Sequence, residues 1–266
     1  MLPDEIYSII LSFISSPYAF SLTCKQFNEI MRRYTPVTNT RVDVALRRQI
    51  PTLALKYIID HADSSVNLNR IFNYCIEFEE EELVEKLLMR EEIDPSANNN
   101  RAIIKAASIG NHHIVACLMK DKRVNPAAQN NLALRRACLE GRFNVVKVLL
   151  EDKRVDPSVW SNYCIMEAIY YRYDNIVDTL LKDPRVDPSV KNCIILEYAA
   201  QYARFNVVRL LLTHPKIDIK ARNYCIFRFA LLYKDFKFIR EILADKRIDH
   251  NDKYIQEIKK TIPQLK

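Results

Sequence analysis

DPSVWSNYCIMEAIYYRYDNIVDTLLKDPRV, residues 156–186, decides how the chain folds, because its pattern returns on both sides at one fixed interval. The dipeptide that opens it stands at Asp94-Pro95, Asn125-Pro126, Asp156-Pro157, Asp187-Pro188, Asp218-Ile219 and Asp249-His250, every step 31 residues. Ala106, Ala137, Ala168, Ala199 and Ala230 keep the same interval at a second phase. At a third, Ile114-Val115, Val145-Val146, Ile176-Val177, Val207-Val208 and Phe238-Ile239 recur. A unit this small cannot bury its apolar face alone and must stack on copies of itself, so the interval predicts a solenoid.

One unit, Asn125–Val155, shows what each copy should contain. Asn125-Pro126 starts a turn, and Asn130-Asn131 before the apolar run reads as a capping signal for a first helix. Leu134, Ala137 and Cys138 mark the inward side of that helix, where small residues let a neighbour come close. Gly141 ends it in the manner of a C-cap. Val145, Val146, Leu149 and Leu150 form the stripe of a second helix, and Asp152-Lys153-Arg154 closes the unit. No unit alternates as a strand would, so the expected class is all-α. Six units fill residues 63–248, and residues 37–62 read as a degenerate first repeat, which gives six to seven in all. Residues 249–266, with Tyr254, Ile255, Ile258 and Ile262 at helical spacing, read as a C-terminal cap.

This unit resembles an ankyrin repeat. Ala106-Ala107-x-x-Gly110-Asn111-x-x-Ile114-Val115-x-x-Leu118-Met119 matches the second half of that family's pattern, and Ala137 to Leu150 does so again. The family's Thr-Pro and His are missing, and the period is 31 rather than 33 residues. The resemblance covers roughly residues 40–250. It implies a stack of helix pairs whose concave face and loop tips grip another protein. The shorter connecting finger would shift binding toward the helix face.

The N-terminal stretch carries a second resemblance. Pro3 with Asp4 and Glu5 suits a helix start, followed by a stripe of Ile6, Ile9, Ile10 and Phe13. After Ser15-Ser16-Pro17, Phe20, Cys24, Phe27 and Met31 mark another helix. Leu2-Pro3-x-Glu5-Ile6, Ile10-Leu11 and Leu22-x-Cys24-Lys25-x-Phe27 together resemble an F-box, over residues 1–36. That likeness implies docking on the Skp adaptor of a cullin–RING ubiquitin ligase through Leu2, Pro3, Ile10, Leu11 and Phe27. Read from the residues alone, the same two helices also suit a plain cap on the solenoid.

The bulk properties fit a folded binding module. Hydrophobic residues make up 49% and charged residues 27% of the 266, and no apolar run reaches membrane-spanning length. No secretory leader is visible, so an intracellular monomer is expected. The seven cysteines form no Cys-x-x-Cys and read as buried, reduced thiols. With only two glycines, the loops must turn by other means, and Asn is the expected substitute. The net charge of +7 raises nucleic acid as a partner. Asp121-Lys122-Arg123, Asp152-Lys153-Arg154 and Asp245-Lys246-Arg247 instead favour solvated loops with local charge pairing.

Nothing points to chemistry. Gly-rich phosphate loops, His-Glu-x-x-His and Gly-x-Ser-x-Gly are all missing from the sequence. The histidines fall at unrelated phases apart from His112-His113, which reads as a solvent-facing pair. The expectation is therefore a non-enzymatic chain with no catalytic residue, no metal and no cofactor.

Candidate binding residues come from the positions beside the small core residues of each first helix. In the later units these are Glu167, Tyr170 and Tyr171, then Tyr198 and Tyr202, then Phe229 and Tyr233. Tyrosine is enriched at binding hot spots because it offers large area at low entropic cost. Trp160, at the expected loop tip, joins them because core packing does not account for it. Some of the tyrosines also suit filling gaps between repeats that lack glycine.

Overall fold

A computed structural model describes residues 52–61 and 66–261. Every regular element among them is helical. α1 (Thr52–His61) is followed by helix pairs, each a first helix and a second: α2 (Leu68–Glu77) with α3 (Glu81–Leu88), α4 (Ala97–Ile109) with α5 (His112–Lys120), and α6 (Ala128–Leu139) with α7 (Phe143–Leu150). The pairs continue as α8 (Val159–Tyr170) with α9 (Asp174–Leu181), α10 (Val190–Gln201) with α11 (Phe205–Leu212), and α12 (Ala221–Leu232) with α13 (Phe236–Leu243). α14 (Lys253–Thr261) closes the described chain. The F-box-like positions Leu2, Pro3, Ile10, Leu11 and Phe27 lie outside the described residues, as do Cys24 and Ile262.

Two compact units are present: residues up to Ala106 with Cys117–Val124, and Ala107–Ala116 with the residues from Asn125 onward. In the first, α2 packs on α3, and Leu68, Ile71, Phe72, Cys75, Leu83, Val84 and Leu87 are buried. In the second, α6, α8, α10 and α12 pack side by side, each against the next, and α7, α9 and α11 do the same. The periodic residues make this row possible. Ala137, Ala168, Ala199 and Ala230 are fully buried, and side chains this small let packed helices approach closely. Val145, Val146 and Leu149, with their counterparts in α9, α11 and α13, bury the inner stripe of each second helix. Val155, Val186, Ile217 and Ile248 are buried beneath the loops that leave the second helices.

The loops turn in two ways. After each first helix one residue adopts left-handed backbone: Glu79, Gly110, Gly141, Arg172, Ala203 and Lys234. The N–H three places beyond the helix then bonds back to the carbonyl of the periodic alanine, as in Arg142 to Ala137 at 2.8 Å, Tyr173 to Ala168 at 2.8 Å and Arg204 to Ala199 at 2.8 Å. This six-to-one bond is the Schellman closure that Gly141 led us to expect, extended to residues that are not glycine.

The entry to each first helix from α4 onward differs from the expectation. Asn98-Asn99-Asn100, Gln129-Asn130-Asn131, Trp160-Ser161-Asn162, Lys191-Asn192-Cys193 and Arg222-Asn223-Tyr224 are each three consecutive left-handed residues. Each triplet winds one turn of the wrong hand, closed for example by the Asn131 N–H on the Ala127 carbonyl at 3.0 Å. Asn130 and Asn131 thus do not cap α6 through their side chains, and no side-chain cap is made there. Left-handed backbone costs an L-residue roughly 1–2 kcal/mol, least for Asn, which explains why asparagine crowds these triplets.

Asparagine at the third place of a triplet does a second job. Asn131 Oδ1 accepts the N–H of Asp156 at 2.8 Å, and Asn162 Nδ2 donates to the Asp187 carbonyl at 2.8 Å. Both side chains are buried, and each ties one repeat to the Asp-Pro turn of the next. A second tie runs the other way. Asp183 holds Arg185 through two short contacts, and the same guanidinium donates to the carbonyls of Leu150 and Val155 one repeat earlier, each at 2.8 Å. Arg247 repeats this with Asp245 and the Leu212 carbonyl, and in the first unit Arg123 does so with Asp121 and the Ile93 carbonyl. The charge pairing expected in these loops is present, and the arginines also fasten neighbouring repeats together.

Candidate interaction surface

The candidate residues fall on the exposed side of α8, α10 and α12. Tyr163, Glu167 and Tyr170 lie three and four residues apart along α8, and so share one face of it. The rings of Tyr170 and Tyr171 meet edge to face at 4.8 Å, and Tyr170 meets Tyr202 of the next repeat in the same way at 5.1 Å. Tyr202 in turn contacts Tyr198 at 4.9 Å. Edge-to-face contacts at these distances are favourable beyond the area they bury. Burial, and then the hydrogen bond with Tyr202, pushes the Tyr198 phenol up to about 12.

The cluster therefore has an inner and an outer part. Tyr198 and Tyr202 are half-buried and fill the space between repeats, which is the gap-filling role set out above. Tyr170 and Tyr171 remain 47% and 45% exposed and present ring surface to solvent. Tyr233 extends the row into the next repeat. It is 48% exposed, its hydroxyl donates to the Gln201 carbonyl at 2.6 Å, and Leu232 beside it is 68% exposed. Phe229 is half-buried, with the Arg228 guanidinium 5.1 Å from its ring centre.

Trp160 does not stand on a free loop tip. It is the first residue of the left-handed triplet that opens α8, and the Arg135 guanidinium lies 3.9 Å above its ring. Arg135 is itself held by the carbonyls of Asn130 and Gln129 at 3.0 and 3.2 Å. One face of the indole is thus taken by a cation–π contact, yet Trp160 remains 54% exposed. Tyr163, 5.7 Å away and edge-on, links Trp160 to Glu167, whose carboxylate it hydrogen-bonds. Arg135 and Tyr163 were missed in the sequence because only the tryptophan broke the pattern. The signal for Tyr163 was its place three residues after Trp160 and four before Glu167.

The basic loops offer little to an anion through their arginines. Arg154, Arg185 and Arg247 are committed to Asp152, Asp183 and Asp245, and these bonds hold all three carboxyls below their ordinary range. Burial pushes the thiols of Cys75 and Cys225 up to about 12, where they are protonated and unreactive. The rings of His112 and His113 lie 4.0 Å apart and tilted by 39°, the first half-buried and the second exposed. Among the described residues, no group of three or more metal-ligating side chains gathers, and no helix is long and apolar enough to cross a membrane.

The family model for ankyrin repeats, in three copies, matches residues 72–161. Among curated proteins none matches the chain. The helix pairs described above are those of an ankyrin-type helical solenoid, with the matched stretch running from α2 into the start of α8.

Proposed function

From this architecture, which supports a role in protein–protein interaction, we propose that the chain is a non-enzymatic adaptor whose target lies across the first-helix face of α8, α10 and α12. The observation that carries this reading is the set of exposed side chains at the ends of these first helices, Tyr170 with Tyr171 at α8 and Leu232 with Tyr233 at α12, with half-buried Tyr202 between them. An apolar row of this kind, set on helices whose cores are already filled, stabilises nothing by meeting water. It gains free energy once a partner covers it. Trp160 and Glu167 would extend the contact toward α6.

The finer reading adds an output. The F-box-like residues Leu2, Pro3, Ile10, Leu11 and Phe27 would hold a Skp-type adaptor, and the repeats would bring the target close to a ligase by raising its effective concentration. This part rests on the sequence resemblance alone. Two measurements test the proposal. Proteins retained by the immobilised chain should be lost with Trp160→Ala/Tyr170→Ala at an unchanged unfolding temperature. An unchanged set of retained proteins refutes the site. Co-purification with the Skp adaptor should be abolished by Leu2→Ala/Pro3→Ala, and a chain that never co-purifies leaves only the scaffold reading.

A further inference from the structure

The left-handed residue after each first helix separates the repeats into two kinds. Gly110 and Gly141 fill it in two successive repeats, where glycine carries no steric penalty. In the next three the residue is Arg172, Ala203 or Lys234, with φ of 67°, 53° and 55°. Each follows directly on a tyrosine of the cluster: exposed Tyr171, half-buried Tyr202 and exposed Tyr233. A side chain here costs roughly 1 kcal/mol relative to an unstrained position. Arg172 and Lys234 are exposed, and neither takes part in an ion pair among the described residues.

The acids nearby are occupied. Asp174 binds Arg204 and Asn206, Asp235 accepts the N–H of Phe238 at the start of α13, and Glu167 binds Tyr163. Glu140 stands one repeat earlier at the register of Tyr171, where the aromatic row has not yet begun. Two cations with no ion-pair partner among the described residues are thus kept, against the backbone's preference for glycine, beside the exposed rings of Tyr171 and Tyr233.

Resting on the reading that this face holds the target, we infer that the target presents an acidic segment interspersed with apolar side chains. Its carboxylates face Arg172 and Lys234, and its apolar groups cover Tyr170, Tyr171, Leu232 and Tyr233. The guanidinium and ammonium groups supply charge-assisted bonds and steer the encounter, while the rings supply buried area.

Random dodecapeptides displayed on phage, selected against the immobilised full chain, provide the test. Recovered peptides are then titrated by fluorescence anisotropy against wild type, Arg172→Gly/Lys234→Gly and Tyr170→Ala/Tyr171→Ala. The expected peptides are rich in Asp and Glu among Leu, Phe or Trp, and they weaken as salt rises. They should bind the double-glycine variant roughly tenfold more weakly, although that variant unfolds at a higher temperature than wild type. A pool without acidic excess, no enrichment at all, or an affinity unchanged in the double-glycine variant overturns the inference. Loss in the tyrosine variant with no change in the glycine variant refutes only the acidic chemistry. Unchanged binding in both refutes the face itself.

Discussion

A single backbone angle governs much of what individual residues do in this chain. At Gly141 φ is +70°, and a Cβ there would sit 2.6 Å from the ring of Tyr173, so glycine is required both by the turn and by the neighbour. Ala203 holds the equivalent place one methyl group heavier, at φ 53°. Gly141→Ala should therefore lower stability by about 2 kcal/mol. Ala203→Gly should raise it by about 0.5–1 kcal/mol, the relief of strain outweighing the added freedom of the unfolded chain. Urea denaturation reads both signs. The scarcity of glycine was plain in the sequence. That Glu, Arg, Ala and Lys would take its place was not, since nothing in their chemistry favours a positive φ.

Carboxylates are the other residues whose role is set locally. Hydrogen bonds from Arg123, Arg154, Arg185 and Arg247 lower the pKa of Asp121, Asp152, Asp183 and Asp245, and bonds from Ser189 bring Asp187 to about 2. A carboxyl whose folded value lies below its unfolded value of about 3.9 adds stability above that value and loses it as pH falls through the folded one. Stability should thus be flat, as far as these groups are concerned, above about pH 5 and decline between about pH 4 and about pH 2. Asp183→Asn should make the decline shallower and lower the plateau. Thermal unfolding across that range, with and without the substitution, checks both effects. The Asp-Lys-Arg pattern announced charge pairing, but the reach of arginine to carbonyls in another repeat requires the stacked geometry and has no trace in local sequence.

At the scale of the element, the helix pairs were legible because burial imposes its period directly on the chain: Ala168 with Ile176, Val177 and Leu180 cannot be read otherwise. The left-handed entry to the first helices from α4 onward was not legible. Asparagine before an apolar run ordinarily signals a cap, and only the closing bond from Asn131 to Ala127 distinguishes a turn of opposite hand. The third place of that turn also explains a gap in the ties between repeats. Asn131 and Asn162 fill it and bond forward, whereas Cys193 is buried there without an amide. Cys193→Asn should both ease the left-handed backbone and supply a partner for the Asp218 turn, with a gain of about 1 kcal/mol. A fall in unfolding temperature would show that the pocket around Cys193 cannot admit the amide.

Across the whole molecule, the candidate aromatic face was chosen by counting from the small core positions, which return in every repeat. The count placed Tyr170, Tyr171, Tyr198 and Tyr202 in one cluster. It could not separate the exposed pair from the half-buried one, which depends on how far each ring leans into the gap beside it. At the last described repeat, Tyr224 takes the asparagine place and donates its hydroxyl to Asp252 at 2.7 Å, with its ring stacked on Tyr254. Burial, aided by that bond, pushes the Tyr224 phenol up. Tyr224→Phe should free α14, whose Ile255 and Ile258 are buried. Hydrogen exchange should then quicken in Lys253–Thr261 while the first unit keeps its rates. Equal quickening everywhere would mean that the repeats unfold as one.

The ties between neighbours carry a consequence for how this chain can change length. Asn131 reaches forward over 25 residues and Arg185 backward over 30 and 35, so each grip depends on the spacing between its ends. One residue added inside a block would pull partners apart on both sides at once, whereas a complete extra block would restore every grip. The protein is therefore modular in the strict sense: it can grow or shrink by whole cassettes, and any designer wishing to widen its aromatic face should splice in another copy of residues 156–186.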